Sequence, residues 1–66
     1  MAVIKVIEIM SNSSKSWEDA TKTAIVKASE SINNIKSAYV QSQSVTVSKS
    51  KVKDFRVNLK VSFEVK

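Results

Sequence analysis

Residues 54–65 read D-F-R-V-N-L-K-V-S-F-E-V, and this strict alternation is the strongest constraint the chain carries. Phe55, Val57, Leu59, Val61, Phe63 and Val65 fall on one side of an extended backbone. Arg56, Asn58, Lys60, Ser62 and Glu64 fall on the other. A period of two belongs to a half-buried β-strand, whose successive side chains point to opposite faces of a sheet. The apolar side needs a cover. The polar side must meet water, a solvated cavity or a ligand, so any function of this strand is to be sought there.

The chain has 66 residues, which is one domain over 1–66, and it contains no cysteine and no histidine. A chain this short buries only about 60% of its unfolded surface. Disulfides are ruled out and zinc has none of its usual ligands, which leaves an idealised core or oligomerisation as the stabiliser. The lack of cysteine fits a reducing compartment. The apolar run from Ala2 to Met10 is interrupted by Lys5 and Glu8 with no basic segment before it, unlike a secretory signal. Nothing approaches the ~20 apolar residues of a membrane span. The expectation is a soluble, cytoplasmic protein with no membrane partner.

Residues 2–10, A-V-I-K-V-I-E-I-M, are β-branched and read as a strand. Val3, Ile7 and Ile9 share one face with Lys5, and Ile4, Val6 and Met10 share the other with Glu8. Both faces are therefore apolar, although one helix can cover only one. The excess points to burial against another subunit. Residues 11–15, S-N-S-S-K, are polar and turn-forming. Ser16 suits a helix N-cap with Asp19 three residues on, Ser14 being the alternative. Glu18 and Asp19 suit the positive end of the helix dipole. The spacing predicts a helix over 17–33, with Trp17, Ala20, Thr21, Ala24, Ala28 and Ile32 on its apolar stripe and Ile25 at the margin. Asn33-Asn34 end it without glycine. Residues 35–48 form a second strand whose polar middle, Gln41 to Ser44, suits a bend, an edge or a wet interface. Residues 49–51 reverse the chain through a connection expected to be loose, since it lacks Asn-Gly chemistry. The fold class is α+β: a β-α-β-β protomer whose first and third strands pair in a three-stranded antiparallel sheet against one helix. Its long edges invite pairing with another chain.

Signatures of catalysis are poor. The commonest general base and the thiol nucleophile are both missing, the serines have no activating partner, and without glycine neither a P-loop nor a dinucleotide fingerprint can form. The chain does not read as an enzyme. Trp17 is either a stacking residue or a core or interface anchor. Tyr39 either stacks on a ligand or pairs across strands. Arg56, held by a regular strand, either grips a phosphate or carboxylate in its fork or forms a salt bridge with Glu8 or Glu64. The net charge of +5 and the cluster Lys49, Lys51, Lys53 admit a nucleic-acid partner. No aromatic residues for stacking stand beside that cluster, so this is the weakest reading.

The order strand–helix–strand–strand, together with K-V-I-E-I at 5–9, the helix start at 12–20 ending in S-W-E-D-A, S-I-N-N-I at 31–35, A-x-V at 38–40 and F-R-V-N-L-K-V-S-F at 55–63, resembles the dodecins. No single piece is a specific motif; their combined order and spacing carry the likeness. The resemblance implies a sheet wrapped around the helix and twelve copies in a hollow shell. It implies a small ligand or ion as the partner: flavin (riboflavin or FMN), or calcium. Flavin-binding dodecins stack the isoalloxazine on a Trp of the second strand and hold its edge with a Gln of the third. Those positions correspond to Ser37 and Arg56. Ser37 has no π-face and Arg56 has donors only, so the usual stacked pair is not expected here. The S-W-E start and the F-R-V-x-L-x-V-S-F run look more like the calcium dodecin branch. Oxygen ligands for that ion are available at Glu8, Asn12, Glu18, Asp19 and Glu64, without the spacing of a calcium loop.

The expected function is a non-catalytic homododecameric shell that binds, stores or buffers a small ligand or ion, with Ser37, Tyr39 and Arg56 as the candidate ligand-binding residues and no metal site assigned. A purely structural assembly and a calcium-binding dodecin are the alternatives.

Overall fold

The computed structural model describes residues 3–66, which form strand β1 (Val3–Ser13), helix α1 (Trp17–Ser29) and strands β2 (Ile35–Ser48) and β3 (Lys51–Val65). The alternating C-terminal segment takes the middle of a three-stranded antiparallel sheet of order β1-β3-β2. This is the β-α-β-β, α+β architecture expected, with the first and third strands paired. The apolar side of β3 becomes the core: Val57, Leu59 and Val61 are fully buried, together with Ala20 and Ala24 of α1. Ile7, Ile9, Trp17, Ile25 and Ile35 close around them. Each large buried side chain contributes about 1.5–3 kcal/mol relative to exposure. Alanines at the contact let the helix axis lie close to the sheet.

The helix start follows the capping pattern. Ser16 is extended (φ −170°) and its Oγ accepts the Asp19 N–H at 2.9 Å. The Asp19 carboxylate does not reach back to Ser16. Its Oδ2 accepts the Ser13 hydroxyl at 2.6 Å, and Ser13 Oγ in turn accepts the Lys15 N–H at 2.9 Å. Ser13 therefore belongs to β1 and not to a turn: the strand runs on through residues 11–13, which pair with Val57, Arg56 and Phe55. The helix ends at Ser29, four residues short of the expected 33. Ser29 Oγ donates to the Ile25 carbonyl at 2.7 Å, and the last turn tightens, Glu30 N–H bonding to the Lys27 carbonyl at 3.1 Å. Serines at 29 and 31 compete for backbone acceptors and disfavour continuation. Asn34 supplies the left-handed residue of the exit, with φ 64°.

The β2–β3 connection is tight where a loose one was expected. Ser48 pairs with Lys51, leaving Lys49 and Ser50 as a two-residue loop with φ of 52° and 64°. Positive φ at both central residues is the demand of the type I′ hairpin. β2 is an edge strand, and three register irregularities bend it: between Ile35 and Ser37, between Val40 and Ser42, and between Thr46 and Val47. No helix among the described residues is long and apolar enough to cross a membrane.

Candidate functional site

α1 covers one face of the sheet, and the other is open. The strand register arranges that open face as cross-sheet rungs running β1, β3, β2: Val6–Ser62–Ser37, Glu8–Lys60–Tyr39, Met10–Asn58–Ser42 and Asn12–Arg56–Ser44. One end is apolar, where Ile4 and Val6 are 50% and 55% exposed. The other end is polar.

Ser37, Tyr39 and Arg56 all lie on this face. Ser37 Oγ shares a hydrogen bond with Ser62 Oγ at 2.5 Å. Tyr39, one rung along, is 66% exposed. Arg56 lies three rungs from Ser37, roughly 20 Å at the rise of a strand, so one protomer brings Ser37 and Tyr39 together but not Ser37 and Arg56. The ion pair of Arg56 with Glu8 or Glu64 does not form. Its Nε–H donates to Asn12 Oδ1 at 3.0 Å, because Asn12 is its rung partner while Glu8 and Glu64 stand on other rungs. Glu8 approaches Lys60 at 4.0 Å, and Glu64 approaches Lys36 at 3.7 Å and Lys66 at 3.8 Å. Trp17 is a half-buried anchor, edge-on to Phe55 with ring centroids 5.1 Å apart, and its Nε1–H donates to the Ser44 carbonyl at 3.0 Å. It thereby ties the helix start to the strand beneath the polar end.

The candidate metal ligands are dispersed. Glu18 pairs with Lys22 at 3.0 Å on the outside of the helix, Asp19 is held by Ser13, and Asn12 is held by Arg56. Among the described residues no three Asp or Glu side chains converge on one point. One oxygen does stand without a partner: Asn58 Oδ1 is buried and accepts no hydrogen bond. It borders a shallow cavity of about 200 Å³ lined by Glu8, Ile9, Met10 and Asn58.

Sequence parity alone misplaces part of β2. Counted in twos from Ser37 and Tyr39, residues Gln41 and Gln43 would join the open face. The irregularity between Val40 and Ser42 shifts the count by one, sends Gln43 to the helix side opposite Val57, and brings Ser42 and Ser44 beside Asn58 and Arg56. The polar stretch signalled the irregular segment but not its phase.

A family model described as Dodecin matches residues 3–66. Calcium dodecin of Mycobacterium tuberculosis is 36% identical over all of this chain and 93% of its own length. A crystal structure of calcium dodecin from that organism, described as a calcium-chelating immunodominant antigen with a novel calcium-binding site, superposes with a TM-score of 0.85 at 37% identity, covering 97% of this chain and 91% of the other. A point mutant of the Thermus thermophilus dodecin superposes with a TM-score of 0.94 over 100% of this chain and 98% of the other, at 24% identity, and speaks for the fold alone. With the family match spanning every described residue and a full-length relative above a third identical, the chain belongs to the dodecin family.

Proposed function

We propose that the protein is a non-catalytic, homododecameric shell that binds or buffers a small ligand or ion on the open face of its sheets, with Ser37, Tyr39 and Arg56 among the residues that meet the ligand. The observation that carries this is the unfinished burial of the protomer. Its radius of gyration is 13.5 Å and its longest extent 51 Å, whereas a compact chain of this length has a radius of about 11 Å. Ile4, Val6 and Met10 stand 50–60% exposed along one edge of the open face. An apolar row beside an unpaired strand edge is what a neighbouring copy covers. Native mass spectrometry tests the reading: a twelve-subunit mass supports it, and a stable monomer at micromolar concentration sinks it.

Calcium is the ion we favour, and the calcium-chelating relative supports it. The structural observation is the unpartnered Asn58 Oδ1 beside Glu8. Calcium takes roughly six to eight oxygens, and these two residues fall short of that. The remaining ligands would come from water or from neighbouring copies. Calorimetric titration of the chelator-treated shell with calcium, in wild type and in Glu8→Gln, tests the assignment; equal heats in both remove Glu8 from the site. Flavin as a stacked pair is not part of the proposal. The residues present do not fit it, since Ser37 offers no ring to stack on and Arg56 no acceptor for the flavin edge.

A further inference from the structure

Arg56 is half-buried in the middle strand, and its guanidinium has no carboxylate partner: every ion pair among the described residues is made by a lysine. The bond from Nε to Asn12 Oδ1 orients the guanidinium through a neutral acceptor, not an ion pair. Both terminal nitrogens are without a protein acceptor among the described residues. Ser44 stands across the strand, and the rung on one side is neutral, with Ser42 and Asn58. The rung on the other side carries Asp54, which forms no ion pair with Arg56; its Oδ2 accepts the Thr46 hydroxyl at 3.4 Å, and its N–H donates to Thr46 Oγ1 at 3.1 Å.

We propose that Arg56, oriented by Asn12 and flanked by the Ser42 and Ser44 hydroxyls, is an oxyanion-binding site that takes the carboxylate or phosphate group of a small molecule. A planar guanidinium presents parallel N–H donors that match two oxygens of one anion, and such charge-assisted bonds are roughly twice as strong as neutral ones. A guanidinium needed only for structure would be neutralised by a rung partner; here that partner is an amide. The chain's net charge of +5 raises the local concentration of anions. The backbone under the site is held in place by the indole of Trp17, the single tryptophan, through the Ser44 carbonyl. The inference rests on the open face being the ligand-bearing face, and it names the chemistry of what binds there.

The test is titration of the assembled protein, at low ionic strength, with inorganic phosphate and separately with acetate, read by calorimetry and by Trp17 fluorescence. Saturable binding near one anion per chain is expected, with a fluorescence change. Arg56→Gln is expected to weaken binding by at least about tenfold with the native mass unchanged. Arg56→Lys should retain part of the phosphate binding and little of the acetate binding, since the fork is lost while the charge stays. Lys51→Gln, at the basic hairpin tip, should leave both unchanged. Equal binding by wild type and Arg56→Gln, or no binding by wild type, overturns the site while leaving the shell reading intact. Loss of the assembled mass in Arg56→Gln also overturns it, since it assigns Arg56 to a carboxylate of a neighbouring copy.

Discussion

Ser13, the last residue of β1, is 9% exposed and makes three contacts: its hydroxyl donates to Asp19 and accepts the Lys15 and Ser16 N–H groups. Ser13→Ala leaves a half-buried carboxylate oxygen and a backbone N–H short of partners, so it is expected to lower stability by about 1–3 kcal/mol. Ser16→Ala, which removes only the cap, should lower it by about 1 kcal/mol. Denaturant unfolding at fixed protein concentration compares the two, and an equal or smaller loss for Ser13→Ala would show that the network adds nothing to the cap. The S-x-x-D spacing made the cap readable in the sequence. That Asp19 turns to Ser13 was not readable, because it depends on β1 running on into a stretch of turn-forming residues. Arg56 shows the same boundary. Alternation placed it on the polar face with Glu8 and Glu64, but the choice of partner follows from strand register, which parity does not contain.

Among the elements, β3 was the most legible, since a sustained period of two admits no other reading. The ends were less so. Residues 11–13 are poor strand formers but pair because β3 is long enough to receive them. The helix stops early although Ile32 continues its stripe and is half-buried. The β2–β3 turn was expected to be loose because it lacks the favoured residues. It is nonetheless tight, and Lys49 and Ser50 sit in left-handed backbone that costs non-glycine residues roughly 1–2 kcal/mol each. Replacing the pair by Lys49→Asn with Ser50→Gly should relieve part of that and raise stability by roughly 1 kcal/mol. Thermal unfolding checks it, and an unchanged midpoint would mean that the turn is not strained.

For the molecule as a whole, the exposed row on β1 is the point of attack. Val6→Asp places a charge where a neighbouring copy is proposed to pack, and an unpaired charge buried there would be strongly destabilising to the interface. The expected outcome is dissociation into smaller species that keep the protomer's circular dichroism. An intact shell would move the interface elsewhere. The double substitution Ser37→Trp with Arg56→Gln supplies an aromatic face and an amide edge, and should confer quenching of riboflavin fluorescence. Because the two positions are separated along one protomer, that quenching should vanish when Val6→Asp is added. If flavin is still quenched in the dissociated protein, the two sites do not depend on assembly.

The strand order has one more consequence. β1 and β2 do not touch; each is hydrogen-bonded only to β3, whereas the helix packs on β1 as well as on β3. β3 is also the last of the four elements to be synthesised. On the ribosome the sheet therefore cannot assemble until β3 has left the exit tunnel, although α1 can already rest against β1. The pairing of β1 with β3 then closes the longest loop in the chain in one step, which makes folding slow for so short a protein. Until then the hydrogen-bonding edges of the β-branched N-terminal strand stay unpaired.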